Sequence, residues 1–348
     1  MIGRLSAAIA ALVVMGTVIA APAHSEDKIR ADDVVKVGIN GVISDAPFFI
    51  AETKGYFKEQ GLTVEFIRFD AGPQMVAPLG TGDLDAAAGA PSAGLFNSGA
   101  RGLGVKIVAD KGSNGDDYSY MPLLIRKDLA GRVKDYKDLK GLKIAEAGRG
   151  GSPGSTLNEA LKRGGLTYND VEHVQNLGYP EQVIALSNKA IDGAITAEPS
   201  AAKAVELGVA VRFSGGDLYP RQQVAVLLYG DNFIKKRRAA AVKFMIAYLQ
   251  GARFYNGAIA RGRFAGPNLP EVLDILTKYT NITDRKLYDA MVPNGCNPDG
   301  YVNADSLKKD YAFYVEQKFA QPGTDVDALV DNSFVDEALK ALGPYKRN

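Results

Sequence analysis

From Val34 onward, short apolar runs alternate with segments of helical spacing. Val34-Val35-Lys36-Val37-Gly38-Ile39 reads as a strand, and Asp45-Ala46-Pro47 opens a helix. Pro47 suits a first helical turn, where its missing N–H would have no partner anyway. That helix is expected to run to about Gln60 and to stop at Gly61. Leu62 to Phe69 sets Val64, Phe66 and Arg68 on one face against Thr63, Glu65 and Ile67, the two-residue period of a strand. A helix over Pro73 to Thr81, a small-residue strand from Leu84 to Ala90, a helix opened by Pro91-Ser92 and a strand from Val105 to Ala109 complete the block. This alternation predicts an α/β fold with a mainly parallel, doubly wound sheet.

A second block repeats the pattern. Leu142 to Ala145, Val171 to Leu177, Ala194 to Ala197 and Val209 to Phe213 read as strands. Helices are expected over Thr156 to Arg163, Tyr179 to Asn188 and Pro199 to Leu207. Two such blocks predict two lobes with a cleft between them, and open α/β sheets bind ligands outside the carboxyl ends of their strands. From about Phe233 the chain is mostly helical, with Val242, Met245, Ile246, Leu249 and Ala252 forming one apolar stripe. The basic run Lys235 to Arg238 is read as an exposed helix start rather than a phosphate or membrane site. Asn281-Ile282-Thr283 is a weak match to a glycosylation sequon.

The first 23 residues read differently. Arg4 precedes the apolar run Ala7 to Ala20, and Ala21-Pro22-Ala23 gives a small-x-small cleavage pattern. Residues 1–23 are therefore expected to be a secretory signal peptide. The run is shorter than the ~20 residues that span a bilayer, which disfavours a membrane anchor. No Cys lies near the cleavage site, so no lipid anchor is expected, and the protein would be exported to the periplasm.

The 41 basic and 40 acidic side chains nearly balance, and loss of Arg4 with the leader makes the mature chain neutral. Nucleic-acid binding would call for a basic excess, so it is not expected. One Cys excludes an intrachain disulfide and Cys-based metal sites. With two His, a multi-His metal site is not expected either. His24 falls in the mature terminus and His173 in a predicted strand, which leaves no basis for a Ser/His/Asp triad. Neither a metal nor a cofactor is expected.

Candidate ligand contacts come from the predicted strand ends. Gly148 to Ser155, leading into Thr156, joins a strand to a helix. Its N–H groups and the hydroxyls of Ser152, Ser155 and Thr156 suit an anion at a helix start, although a plain connection with an ordinary cap also fits. The spacing matches neither G-x-G-x-x-G nor a P-loop, which argues against a nucleotide. Ser44 and Asp45 follow the first strand, with Phe48 one turn further on. Ser92 opens the helix after the third, and Asn114 and Tyr118 follow the fourth. Each could equally be a cap or turn residue, and their convergence at one sheet edge is the functional reading. Glu198 suits either a ligand amine or a helix start. Without Trp, an aromatic ligand would stack on Phe48, Tyr118, Tyr179 or Tyr219.

Several stretches carry a family resemblance. Asp45-Ala46-Pro47-Phe48-Phe49-Ile50-Ala51-Glu52-Thr53-Lys54-Gly55-Tyr56-Phe57-Lys58-Glu59-Gln60-Gly61-Leu62-Thr63-Val64-Glu65 resembles the first βαβ unit of nitrate/sulfonate/taurine-type solute-binding proteins of ABC importers. Tyr136-Lys137-Asp138-Leu139-Lys140-Gly141-Leu142-Lys143-Ile144-Ala145 is similar to the opening of their second lobe. Gly82 to Ala87 and Ala194 to Pro199 match more weakly. The resemblance implies the type II periplasmic-binding-protein fold, with lobes joined by two crossing strands. The crossings are expected near Met121 to Arg126 and Tyr219 to Leu227. Residues 32–123 and 222–348 would form lobe 1, and 124–221 lobe 2. It implies capture of a small-molecule ligand by hinge closure, and delivery by a monomer to an inner-membrane ABC permease with a separate ATPase. The expected ligand is a small organic anion, a sulfonate or carboxylate, aromatic or not. A thiamine-pyrimidine or other vitamin-like precursor is the alternative, as is a role as ligand-sensing partner of a membrane receptor. An enzyme of this fold, the thiamine-pyrimidine synthase, carries a Cys-rich motif that this chain lacks, so no catalytic activity is expected.

Overall fold

The computed structural model describes residues 34–280 and 282–346. The expected leader, His24 and the sequon's Asn281 lie outside the described residues. Ten strands build two sheets: β1 (Val34–Ile39), β2 (Thr63–Arg68), β3 (Ala86–Gly89), β4 (Lys106–Ser113), β5 (Leu123–Arg126), β6 (Lys143–Glu146), β7 (Glu172–Gln175), β8 (Gly193–Ile195), β9 (Ala210–Arg212) and β10 (Gln223–Tyr229). The first sheet has the order β2-β1-β3-β10-β4 and the second β7-β6-β8-β5-β9. β1 runs parallel to β2 from Val34–Thr63 to Ile39–Arg68.

Each sheet accepts one antiparallel strand just after the chain has crossed to it. β5 pairs antiparallel with β8 and β9, and β10 with β3 and β4. The crossings are residues 114–122 and 213–222, and the apolar runs expected to cross are already strands within the sheets. β10 is buried along its whole length, and such continuous apolar runs belong in a sheet covered on both faces. This is the two-lobed, doubly wound fold of type II periplasmic binding proteins.

The first expected helix is two, α1 (Ala46–Thr53) and α2 (Tyr56–Glu59), because Gly55 between them takes a left-handed φ of 78°. Further helices are α3 (Val76–Thr81), α4 (Ala93–Ala100), α5 (Ser152–Arg163), α6 (Tyr179–Ser187), α7 (Ser200–Glu206), α8 (Asp231–Lys236) and α9 (Arg238–Asn256). α10 (Leu269–Tyr279), α11 (Arg285–Ala290), α12 (Ala304–Glu316), α13 (Val326–Leu329) and α14 (Ser333–Leu342) follow. None of them is long and apolar enough to cross a membrane. The basic run spans the junction of α8 and α9: Arg237 pairs with Asp85 at 2.9 Å, and Arg238 with Glu337. α1 packs closely on α9, with Phe48 against Tyr248 at 4.8 Å between ring centroids. Phe48 is thus a core residue, fully buried, and not the stacking surface expected from its place after the first strand.

α12 touches both lobes. Tyr219 on the second crossing donates to Asp310 at 2.7 Å, and Lys309 pairs with Glu159 of α5 at 2.7 Å. Tyr314 donates to Pro91 O, beyond β3, at 2.9 Å. Phe313 meets Tyr168 of the second lobe edge to face. Tyr168 and His173 both bond the buried Glu146 carboxylate, so His173 supports this docking face.

Burial pushes the Asp310 carboxyl up to about 7, against the hydrogen bond from Tyr219 that favours its charged form. A carboxyl raised on folding stabilises fully below its unfolded value, and that contribution is lost as pH rises through about 7. The span corresponds to a contribution on the order of 4 kcal/mol. Stability measured by denaturant melts should therefore fall between about pH 4 and pH 8, and Asp310→Asn should flatten that fall. Parallel pH profiles for the two proteins would reject this role.

Candidate functional site: the interlobe cleft

The carboxyl ends of the strands face each other across a small cleft of about 50 Å³, partly open to solvent. Asn40, Val42 and Ser44 follow β1, Ala71 to Pro73 follow β2, and Gly89 and Ala90 end β3. Ala147, Gly148, Gly151 and Pro153 after β6, Tyr179 after β7 and Ala197 after β8 supply the opposite wall. Tyr120, Val224 and Ala225 close it near the crossings. The walls are mostly small and apolar, as suits a site that must shed water to bind.

Lys111 is the one charged side chain in this lining, and the sequence pattern did not single it out. The fourth strand is expected over Val105 to Ala109, yet β4 continues to Ser113 and so takes in both Asp110 and Lys111. Both charges are accommodated by distant partners. Asp110 accepts from Gln223 Nε2 and from the Asn297 N–H, each at 2.6 Å. Burial nonetheless raises its carboxyl to about 6. Lys111 Nζ lies 2.7 Å from Asp45 Oδ1, with side-chain exposures of 1% and 0%. Asp45 Oδ2 accepts the N–H groups of Asn40, Gly41 and Val42, which winds the loop after β1 around the carboxylate. Asp45 is the only partner of the Lys111 ammonium among the described residues, and an ammonium carries three donors. Tyr120 bonds Ser44, and burial pushes its phenol well up; burial takes Tyr179 to about 12. Both stay neutral hydroxyls at ordinary pH.

The residues expected at the site divide sharply. Ser44 lines the cleft, and Asp45 stands behind it holding Lys111. Among the stacking candidates, Tyr179 lines it as well. The others lie elsewhere, each held by structural bonds. α5 begins at Ser152, with Pro153 in its first turn, so Ser155 and Thr156 are inside the helix and not on a loop. Ser152 Oγ donates across the lobes to Val224 O at 2.7 Å. Thr156 Oγ1 donates to Gln222 Oε1 at 2.8 Å, and Gln222 Nε2 donates to Ser155 Oγ at 3.1 Å. Asn114 Nδ2 bonds Tyr219 O and Gln222 Oε1, which places it in the hinge. Ser92 caps α4 by accepting the Leu95 N–H. Tyr118 lies on the lobe surface beside Gly262 and Gly295, outside the cleft. The Tyr219 hydroxyl is spent on Asp310, and Lys309 covers its ring at 4.1 Å. Glu198 pairs with Arg212 and accepts the N–H groups of Ala202 and Val292, so no ligand amine is needed to satisfy it.

Cys296 is buried beside Tyr248, and burial pushes its thiol well up, the opposite of an activated nucleophile. Among the described residues there is no cluster of His, Cys, Asp or Glu that could hold a metal.

Two doubly wound lobes joined by paired crossings, with a small cleft at their strand ends, define a two-lobed α/β fold. The chain belongs to the NMT1-like family, whose model matches residues 30–265. It is 25% identical over 316 residues to a putative aliphatic sulfonates-binding protein of Bacillus subtilis (strain 168), covering 88% of each chain. Its fold matches the periplasmic nitrate-binding protein NrtA from Synechocystis PCC 6803 with a TM-score of 0.73 at 16% identity, over 89% of each chain. It also matches the desulfurization enzyme DSZB, with a TM-score of 0.62 at 13% identity, over 89% of this chain and 99% of that one.

Removing the Lys111 ammonium while Asp45 stays buried should cost about 3–5 kcal/mol. Lys111→Met should lower the denaturant midpoint accordingly, and Lys111→Met with Asp45→Asn should recover at least half of the loss. A cost under about 1 kcal/mol for the single variant would mean that the pair is not buried as described.

Proposed function

We propose that this chain is the extracytoplasmic solute-binding subunit of an ABC importer, and that it captures a small organic anion in the interlobe cleft. The observation that carries the reading is the buried Lys111 side chain, the single charged group in a mostly apolar lining at the strand ends of both lobes. A sulfonate or carboxylate head would take its free donors, and the small apolar walls with Tyr120 and Tyr179 would take the body. The sulfonate-binding relative and the nitrate-binding neighbour support an oxyanion ligand.

Among the described residues, those up to 123 together with those from 222 onward would form one lobe and 124–221 the other, with α12 bridging them. Ligand that binds the closed arrangement better draws the equilibrium toward it. A membrane permease then reads the closed form, and a separate ATPase supplies the energy. The protein acts as a monomer in the periplasm after loss of residues 1–23. No catalytic step is part of this reading.

Thermal shift and calorimetry with methanesulfonate, butanesulfonate, benzoate, nitrate and neutral pyrimidines test the reading. Organic anions should raise the melting temperature, and Lys111→Met should weaken their binding at least ~30-fold, about 2 kcal/mol. Stabilisation by the neutral pyrimidines alone would reject the anion reading.

A further inference from the structure

We infer that Asp45 is the charge-selectivity residue of the cleft, admitting ligands with a singly charged head and rejecting dianions of the same shape. The inference rests on the anion reading above and deepens it. Lys111 Nζ is 2.7 Å from Asp45 Oδ1, and both side chains are almost wholly shielded from solvent. At close range the ammonium offers hydrogen bonds to an oxyanion. Seen from further away, the two charges nearly cancel, so the cleft carries no net positive field.

No other charged side chain lines the cleft to change that balance. The polar groups nearby are the neutral hydroxyls of Ser44, Tyr120 and Tyr179 and the amide of Asn40. A monoanion therefore gains the Lys111 contact and must be desolvated only once. A dianion brings a second charge into mostly apolar walls, with no second cation to meet it and with Asp45 repelling it. Geometry makes Asp45 hard to displace. Its other oxygen accepts from Asn40 at 3.2 Å, Gly41 at 2.6 Å and Val42 at 3.1 Å, so it cannot swing away to leave Lys111 unpaired.

A probe whose charge changes at constant shape isolates the effect. Methylphosphonate is a monoanion below its second ionisation and a dianion above it, while methanesulfonate is a monoanion at both pH values. Calorimetry on the full chain should show methylphosphonate binding near the sulfonate's affinity below that ionisation. Above it, binding should weaken ~100-fold while the sulfonate is unchanged. In Asp45→Asn, which keeps an oxygen for the three amides, the dianion penalty should shrink to under ~5-fold. Equal wild-type affinity for both charge states, with the sulfonate bound, would overturn the selectivity while leaving the anion reading intact. A penalty unchanged in Asp45→Asn would overturn the assignment to Asp45. Should Asp45→Asn not fold, the wild-type pair of titrations still decides whether dianions are rejected. Failure of methanesulfonate, butanesulfonate and benzoate alike to bind the wild type would overturn the anion reading itself, and this inference with it.

Discussion

The side-chain amide of Gln222 sits where the two crossings meet, and the relation between the lobes depends on it. Asn114 N–H donates to Gln222 O at 3.0 Å, which ties the two crossing segments together along their backbones. The Gln222 side chain then fixes the hinge to α5. Its oxygen accepts from Thr156 at 2.8 Å and Asn114 at 3.3 Å, and its nitrogen donates to Ser155 at 3.1 Å and Ser152 O at 3.3 Å. The residue is fully buried, and a buried amide left partly unsatisfied costs about 1–3 kcal/mol per group. The first turn of α5 thus has one favourable position relative to the crossings. That position sets where Gly151 and Pro153 stand in the opposite cleft wall.

The same economy governs the charges around the cleft. Each buried ionised group is matched by a partner from another element: Asp45 by Lys111, Glu198 by Arg212, and Glu146 by His173 and Tyr168. Asp110 has no cation and relies on Gln223 and the Asn297 N–H, and its carboxyl is accordingly raised. Such pairs add little net stability over apolar packing, but they penalise misplacement of either partner strongly. Their value here is positional. Lys111 can present donors to the cleft because Asp45 is itself anchored by three backbone amides.

The fold was far more legible in the sequence than the site. The alternation of strands and helices and the two-block organisation follow from local periodicity, and β1, β2, β6 and α6 begin and end within a residue or two of where the pattern puts them. Which residues face the cleft does not follow from local pattern. Ser92, Ser152, Ser155, Thr156 and Asn114 stand near strand ends with the right chemistry, but their polar groups meet partners brought close only by tertiary folding. A hydroxyl at a helix start looks the same in sequence whether it faces a ligand or a neighbouring backbone. Lys111 fails in the other direction. In sequence it falls beyond the strand expected to end at Ala109, and the carboxylate that lets it be buried lies far earlier in the chain. A buried lysine within a strand run, with an aspartate at the start of the first helix, is the signal that could have found it.

The contacts across the cleft also say how closure can be balanced. Across the cleft the Ala93 N–H donates to Gly150 O at 2.7 Å, and near the crossings Ser152 Oγ donates to Val224 O at 2.7 Å. Each such bond is worth only about 1 kcal/mol net, since water replaces it on opening. Beside the crossings, by contrast, α12 bonds both lobes through Asp310, Lys309 and the aromatic pair Phe313–Tyr168. Opening that broke all of these together would expose apolar surface as well as polar groups, at far greater cost. The lower-cost motion is a rotation that keeps α12 seated near the hinge and parts Ala93 from Gly150. A ligand then needs only a few kcal/mol of preference for the closed form to populate it almost completely. One charge-assisted contact to a buried ammonium, together with the apolar surface it brings, is of that size.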